Sequence, residues 1–406
     1  MGAASIVSAA AGFTILVIAG NHLRPEEYAQ FSVFWGALFG IFGVLSGIQS
    51  ETTRAVRSAE TLGGAPGGAQ RHPSVLANGV LVGAILAVLV LASSWLWAPS
   101  VLGINTPWLL PTLVTAAIAY SGHSALAGAS AGTQDWNLYS KLMSAEAVFR
   151  LATVGTVALL GVGLLGLELA CALAAILWLV FLLVAPSARR AAVARADVPR
   201  TAYMKQTGHA MLSSSATAAL IVGFPVILSF TSSAQELAAA GGLLLAIQLT
   251  RAPIMVPLQA FQGVAIAAFV NQRDRGVHAL ITPAALFLAV GVAGGIAAAL
   301  LGPWLMELLF PGKYDVPAWL LAALTFDAAL MAVLTLTGTA ALAVGMHRGY
   351  SAGWVSGTVV SVLCLLLPLP LPIRTAVALA AGPVVGAAIH VASILRLGRS
   401  AAAATT

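Results

Sequence analysis

Arg251 is the residue whose position in this sequence most favours chemistry. It lies well inside an apolar segment, with Gln248 one turn before it and Pro253 and Pro257 after it. An ionised side chain costs about 2.5–3.5 kcal/mol at the centre of a membrane helix, so such residues mark functional sites by default. Prolines free backbone carbonyls, and irregular backbone at membrane depth is tolerated only against protein or a water-filled cavity. We therefore predict that Arg251 lines a cavity and favours an anion there.

Further polar residues are predicted to accompany Arg251, through substrate contacts or ion coupling. They are Glu51, Gln248, Gln259, Gln262 and Asp327. For Asp327 the sequence leaves three roles open: counter-ion of Arg251, proton site, or contact between two helices. His123 and His390 also fall within apolar segments, and we interpret both as polar packing residues.

Two pairs of opposite charge stand at helical spacing. Glu51 and Arg54 are one turn apart at the end of the second apolar segment, where they either face the cavity or mark the wet end of the helix. Glu146 and Arg150 have the i,i+4 spacing of an intrahelical ion pair. We predict that Glu146 and Arg150 form a structural pair near the cytoplasmic interface.

Apolar segments long enough to cross a membrane must position these residues. A bilayer core of about 30 Å needs about 20 apolar residues per helix. Twelve such spans lie near 2–20, 30–55, 75–97, 107–130, 143–161, 165–185, 208–230, 237–270, 279–301, 317–344, 349–367 and 374–395. The span at 237–270, which carries Arg251, is too long for one straight helix. It predicts a bent helix or a helix with a re-entrant piece.

The basic residues orient these spans. Fourteen of the 19 Lys and Arg residues fall in every second gap, and three (Arg24, Lys313 and Arg374) fall in the other gaps. Basic loops stay on the cytoplasmic side, so both termini are predicted to be cytoplasmic. The expected location is the cytoplasmic membrane of a bacterium. The predicted domains are a first six-helix lobe at 1–186, a basic cytoplasmic linker at 187–206, a second lobe at 207–398 and a tail at 399–406.

Composition excludes several classes of protein. Of the 406 residues, 60% are hydrophobic and 8% are charged, whereas a soluble domain carries about 25% charged residues. The excess of positive charge sits in short loops, which favours membrane lipids or an anionic substrate over nucleic acid. The sequence contains no recognisable catalytic triad, metal-spaced His/Cys cluster or phosphate-binding glycine loop. We therefore predict neither an enzyme nor a cofactor, and coupling to H⁺, Na⁺ or the membrane potential stays open.

Three stretches of the sequence have patterns known from one group of membrane proteins. Residues 23–31 (LRPEEYAQF) are similar to the junction between the first two helices of that group. Residues 249–253 (LTRAP) and 259–262 (QAFQ) resemble its eighth helix. Gly132, Tyr139 and residues 146–151 resemble the loop before its fifth helix and that helix itself. On these stretches the sequence resembles the oligosaccharide flippases, the Wzx-like branch of the multidrug/oligosaccharidyl-lipid/polysaccharide (MOP) exporter superfamily.

The resemblance implies an all-α integral membrane protein with about twelve helices in two six-helix lobes around a central cavity, as in MATE and other MOP transporters. It also implies translocation of a polyprenyl-pyrophosphate-linked oligosaccharide from the inner to the outer leaflet by alternating access, with polysaccharide-assembly proteins as partners. In relatives, basic residues of the second and eighth helices face the cavity. By helix and depth these correspond to Arg54 and Arg251, which would bind the pyrophosphate.

Two alternative transporters stay open. A cation-coupled multidrug antiporter of the same fold needs carboxylates deep in a lobe, and Asp327 is the candidate. A major-facilitator transporter shares the twelve-helix plan, but the Gly-x-x-x-Asp-Arg-type loop after its second helix is absent from residues 51–72.

Overall fold

Long apolar runs fold into helices because a backbone in lipid must satisfy its own hydrogen bonds. The computed structural model describes the backbone of residues 2–61, 72–271 and 278–403, and the side chains of residues 4–61, 72–258 and 278–396. Over these ranges the chain is helical almost throughout, and the only β-type pairing is an isolated bridge between Ser74 and Arg195.

Seventeen α-helices are described, several of them short pieces of one membrane crossing. The first eleven are α1 (Gly2–His22), α2 (Pro25–Thr61), α3 (Val75–Ala92), α4 (Ser94–Leu102), α5 (Thr106–Gly132), α6 (Trp136–Leu159), α7 (Leu164–Leu173), α8 (Trp178–Val184), α9 (Pro186–Ala192), α10 (Arg200–Ile221) and α11 (Phe224–Thr231). The others are α12 (Ala234–Ala238), α13 (Gly241–Asn271), α14 (His278–Leu309), α15 (Ala318–Ala343), α16 (His347–Leu365) and α17 (Leu371–Ala403).

The number of membrane-crossing helices is slightly below the predicted twelve. In the described residues, ten helices are long and apolar enough to cross a membrane, or eleven if α10 and α11, which meet at a bend of 67°, form one span. The eleventh predicted span, near 349–367, is the 19-residue helix α16. It falls outside that set, and its first twelve residues, HRGYSAGWVSGT, are rich in polar and small residues. The all-α membrane fold is confirmed.

The long segment around Arg251 forms one continuous helix. Helix α13 has 31 residues and holds Pro253 and Pro257 in its interior. A proline removes one backbone donor and crowds the carbonyl of the preceding turn. The short helix α12 precedes α13, begun by a capping box between Ser233 and Glu236.

The helices form two compact units. Unit 1 contains Met1–Leu23 and Gln30–Val226, and unit 2 contains Arg24–Ala29 and Ile227–Thr406. The division along the chain therefore falls inside α11, whereas our sequence analysis put it at the basic segment 187–206. The predicted lobe boundaries rest on topology and stay a prediction.

Small residues bring the helices of each unit close together. In unit 1, α3 packs on α5 and α1 packs on α6. A Cβ atom added to Gly79 of α3 would lie 2.7 Å from Cβ of Ala125 in α5. In unit 2, α16 packs on α17, and a Cβ atom on Gly357 would lie 2.9 Å from the carbonyl oxygen of Gly382. Such close approach lets helices pack by van der Waals contact, which drives association where the hydrophobic effect cannot.

Candidate functional site

Arg251 and the acidic residue Asp327 lie on neighbouring helices of unit 2. Helices α13 and α15 pack together, and Arg251 of α13 interacts electrostatically with Asp327 of α15. Arg251 is half-buried, and Asp327 is 6% exposed. One carboxylate oxygen of Asp327, Oδ2, is buried without a hydrogen-bond partner in the described part of the chain. The three roles predicted for Asp327 stay open.

The glutamines predicted beside Arg251 are only partly described. Gln248 is half-buried on α13, one turn before Arg251. Gln259 and Gln262 lie on the same helix, but their side chains fall outside the described residues. The predicted role of all three in substrate contact stays a prediction.

Arg54 is enclosed by acceptors in unit 1. Its Nε donates to both carboxylate oxygens of Glu51 at 3.0 Å, and its Nη2 lies 2.6 Å from Glu51 Oε1. On the other side, Nη1 and Nη2 donate to the two oxygens of Asp197 at 2.8 and 3.1 Å. Nη2 also donates to Gln206 Oε1 at 2.9 Å. Two carboxylates thus compensate the charge of the guanidinium. The predicted role of Arg54 in substrate binding stays a prediction.

The negative charge of Asp197 is stabilised by this cluster. Burial alone would raise the pKa of the Asp197 carboxyl, but hydrogen bonds from Arg54 and Ser58 and the charge of Arg54 outweigh burial. The pKa of Asp197 therefore lies below its ordinary value. The carboxylate is ionised at neutral pH and binds Arg54 as a charged partner.

The basic segment 187–206 is attached to unit 1 at several points. Arg195 Nη1 donates to the His72 carbonyl at 2.7 Å, and Ala196 N donates to the Pro73 carbonyl at 3.1 Å. Arg200 Nε donates to Asn78 Oδ1 at 2.9 Å. Together with Asp197, these bonds fix the segment that leads into α10. The sequence predicted its charge but not these contacts.

The predicted ion pair between Glu146 and Arg150 is present and fully buried. Arg150 Nη2 donates to Glu146 Oε1, and both residues are 6% exposed. The guanidinium lies over the ring of Phe39, 4.7 Å from its centroid, and Arg150 Nε donates to the Cys171 carbonyl at 3.0 Å. Glu146 and Arg150 lie about 15 and 21 Å from the start of α6, counted at 1.5 Å per residue. The pair is therefore in the middle of the helix and not near either of its ends.

A buried acid escaped the sequence analysis. Glu168 of α7 is 2% exposed, forms a hydrogen bond with Asn105, and has no described partner for its Oε2 atom. The sequence could have revealed Glu168, because it is the one acid within the apolar run 164–184.

His123 is also buried. It is 1% exposed and stacks on Tyr120, and neither of its ring nitrogens has a hydrogen-bond partner in the described residues.

His390 fits the predicted packing role. Its Nδ1 lies 3.1 Å from the hydroxyl of Thr337, its Nε2 lies 3.0 Å from the Tyr350 carbonyl, and its ring stacks on Tyr350.

Across the described residues, no group of three or more His, Cys, Asp and Glu side chains is arranged to hold a metal ion.

Two mycobacterial proteins are closely similar to the whole chain. No protein-family model matches the chain. The uncharacterized proteins Rv3630 and Rv1510 of Mycobacterium tuberculosis are each 40% identical to it over 398 residues, which cover 98% of this chain and 91% of theirs. The chain belongs to the family of these mycobacterial proteins.

Solved structures establish the fold of this family member. An inward-facing structure of a multidrug resistance MATE family transporter of the MOP superfamily superposes on 98% of the chain with a TM-score of 0.68 and 15% identity, covering 95% of that transporter. An outward-facing structure of a multidrug resistance MATE family transporter of the MOP superfamily matches 100% of this chain and 96% of the transporter chain, with a TM-score of 0.66 and 18% identity. A MOP superfamily transporter from Pyrococcus furiosus, whose binding pocket is described as having reverse polarity that suggests a different function, covers 97% of this chain and 95% of its own with a TM-score of 0.65 and 15% identity. The family member therefore has the MATE-like fold of MOP transporters.

Proposed function

We propose that this protein carries an anionic, lipid-linked substrate across the membrane, and that the substrate is a polyprenyl-pyrophosphate-linked oligosaccharide. The observation that carries the proposal is Arg251, a half-buried cation in the middle of a proline-containing membrane helix. A cation at that depth is costly, so a protein keeps one there where it serves a function. The MATE-like fold supports a transporter, and structures of this fold in inward- and outward-facing states support alternating access.

The pairing of Arg251 with Asp327 suits a site that is empty part of the time. The carboxylate compensates the guanidinium when no substrate is bound, which limits the cost of a buried unpaired charge. A guanidinium about 4 Å from a phosphate charge gains about 4 kcal/mol at an effective dielectric constant of 20. The phosphate would then replace Asp327 as the compensating negative charge. Arg54 contributes less to this proposal, because Glu51 and Asp197 already neutralise it.

The membrane potential supplies a driving force for such a substrate. With an inside-negative potential, moving one negative charge outward releases about 2.3 kcal/mol per 100 mV. The headgroup would cross through the cavity while the lipid tail stays in the bilayer. We place the protein in the bacterial cytoplasmic membrane with both termini cytoplasmic, and polysaccharide-assembly proteins would supply and remove the lipid.

The test is transbilayer movement of a fluorescent polyprenyl-pyrophosphate sugar in proteoliposomes under an imposed potential. Wild-type protein is expected to move the lipid, and Arg251→Ala to reduce the initial rate about a hundredfold, which corresponds to about 2.7 kcal/mol of lost charge-assisted hydrogen bonding. Arg348→Ala, which removes an exposed arginine of the same unit, is the matched control. No movement by folded wild-type protein would contradict the proposal.

A second candidate is a cation-coupled multidrug antiporter. The MATE family membership of the fold neighbours favours it, as do the buried acids Asp327 and Glu168. In the same proteoliposomes, uptake of a cationic dye driven by a proton gradient, without lipid movement, would support the antiporter. The major-facilitator alternative does not fit the MATE-like fold.

A further inference from the structure

Helix α9 presents a basic face at the end of a membrane span. The candidate span Leu164–Val184 ends with α8, and Ala185 has an extended backbone, as the residue before a proline commonly does. Residues at positions i, i+3, i+4 and i+7 share one face of a helix. In α9 and its C-cap, the four residues with this spacing are all exposed, and we call them the basic face of α9: Pro186, Arg189, Arg190 and Val193.

The opposite face of α9 packs on unit 1, so the basic face has a fixed orientation. Ala188 and Ala191 are buried, three residues apart, in an apolar cluster that also contains Trp178. The chain that follows α9 is fixed as well, because the backbone N–H of Val75 donates to the Ala194 carbonyl at 3.1 Å. The arginines of the basic face are therefore held toward the surroundings of unit 1.

Arg189 indicates the depth of this face in the membrane. Its Nη1 donates to the carbonyl oxygens of Leu182 at 3.3 Å and Leu183 at 2.8 Å, in the last turn of the span. A cation is favoured there because the end carbonyls carry the negative end of the helix dipole. Leu183 and Val184 are 78% and 70% exposed, so their side chains face lipid. Arg189 therefore lies where the hydrocarbon core meets the headgroups, and by the predicted topology this is the cytoplasmic leaflet.

The positive charge of the basic face is not compensated within its segment. Residues 186–196 (PSARRAAVARA) contain three arginines and no acidic residue. The next acid, Asp197, pairs with Arg54, and its side chain is 8% exposed. Among the described residues, neither Arg189 nor Arg190 forms an ion pair. The charge of these two arginines is therefore available to an anion from outside the protein.

We infer that the basic face of α9 binds the headgroup of an anionic phospholipid, with Arg189 and Arg190 on the phosphate and Val193 against the acyl chain. Guanidinium groups bind phosphate oxygens through paired, charge-assisted hydrogen bonds. A zwitterionic lipid is disfavoured because its own cation opposes the approach of two arginines. A soluble anion is disfavoured because it leaves the neighbouring apolar side chains uncovered. The inference depends on the membrane fold and not on the identity of the transported substrate.

The experiment is photo-crosslinking of the full chain in phosphatidylcholine nanodiscs that contain a trace of a probe lipid. The probe carries a diazirine at the start of its acyl chain and is either a phosphatidylglycerol or a phosphatidylcholine. We expect the phosphatidylglycerol probe to label residues 183–194, and the phosphatidylcholine probe to label them about thirtyfold less, because two arginines near a membrane surface favour an anionic lipid by about 2 kcal/mol. Raising the salt from about 0.1 M to about 1 M should reduce this preference, because the Debye length falls from about 10 to about 3 Å.

Two variants test the arginines themselves. Arg189→Gln with Arg190→Gln is expected to reduce phosphatidylglycerol labelling about thirtyfold. Because Arg189 also caps α8, Arg190→Gln alone is the second variant, with an expected loss of about fivefold. Lysine at both positions keeps the charge and should retain most of the labelling. Arg348→Gln, which removes an exposed arginine of unit 2, is the matched control and should leave the labelling unchanged.

Four outcomes would overturn the inference. Equal labelling by the two probes would identify an ordinary lipid-facing surface, and unchanged labelling in both glutamine variants would show that the arginines do not hold the headgroup. Displacement of the label by inorganic phosphate would identify a site for soluble anions. Displacement by substoichiometric polyprenyl phosphate would identify the proposed transport substrate as the occupant. The assay measures binding alone, so a failure of lipid movement in proteoliposomes leaves this inference standing.

Discussion

Arg54 and Asp197 form a two-bond ion pair between residues 143 positions apart, at 2.8 and 3.1 Å. Arg54 is near the end of α2, and Asp197 lies in the segment that leads into α10. The pair therefore ties the basic segment to the second membrane helix. In doing so it uses guanidinium donors that an anionic substrate would otherwise accept from.

Substitution of Arg54 is expected to affect stability more than transport. Arg54→Ala leaves Glu51, which is 7% exposed, and Asp197 without their cation. Because the arginine side chain is itself 44% exposed, water screens the loss, and we expect about 1 kcal/mol of destabilisation. Thermal unfolding in detergent measures this change, with Arg57→Ala, an exposed arginine of the same helix, as the control. Normal stability combined with abolished lipid movement would instead assign Arg54 to the substrate site.

The same cluster gives the stability a dependence on acid pH. The folded state lowers the pKa of Asp197 below its ordinary value of 3.8. Its contribution is therefore fully present above that value and is lost as the pH falls through the lowered pKa of the folded protein. In Asp197→Asn we expect a flatter fall of melting temperature below about pH 4 than in wild-type protein. Parallel curves for the two proteins would contradict this assignment.

The Glu146–Arg150 pair is expected to behave as a unit. Arg150→Met leaves a buried carboxylate without its cation and removes the contacts with Phe39 and the Cys171 carbonyl. Breaking one side of a buried pair costs about 3–5 kcal/mol, whereas replacing both partners by uncharged groups is often close to neutral. We therefore expect Glu146→Gln with Arg150→Met to be more stable than Arg150→Met alone. Lys141→Met, at an exposed position of the same helix, controls for charge loss. Additive effects in the double variant would rule out coupling.

The sequence was sufficient for the helices and insufficient for the pairs between them. An apolar run of about 20 residues forms a membrane helix regardless of its neighbours, so the bounds of α5, α6 and α15 follow their predicted spans within a few residues or a turn or two. The i,i+4 pair on α6 was predictable because helix geometry alone brings the two side chains together. Arg54 pairs with Asp197 only in the folded structure, and local sequence spacing does not predict a contact between residues so far apart in the chain. The sequence likewise could not report that α13 and α15 pack and bring Arg251 and Asp327 onto neighbouring helices.

Glycine packing in unit 2 gives a prediction that is independent of function. Gly357→Ala would place a Cβ atom 2.9 Å from the Gly382 carbonyl oxygen, which is shorter than a normal contact. We expect α16 and α17 to separate slightly at a cost of about 1–3 kcal/mol, measured as a lower melting temperature. Gly155→Ala on α6 is the control, since a Cβ atom there meets nothing within 4 Å. That variant should be neutral or up to about 1 kcal/mol more stable, because alanine favours a helix. Equal effects of both substitutions would show that the helices do not pack this closely.

Removal of the Asp327 charge is expected to strengthen anion binding at Arg251. In Asp327→Asn the guanidinium loses its counter-ion, so the protein without ligand should be less stable, because a buried charge is left uncompensated. A pyrophosphate-bearing lipid then supplies the missing charge without displacing a carboxylate. We expect about tenfold tighter binding, equivalent to about 1.4 kcal/mol, and a larger rise in melting temperature on lipid addition than in wild-type protein. Asp315→Asn, at an exposed loop position, should change neither quantity. A loss of proton-driven dye transport in Asp327→Asn, with unchanged lipid affinity, would instead make Asp327 a coupling carboxylate and favour the antiporter.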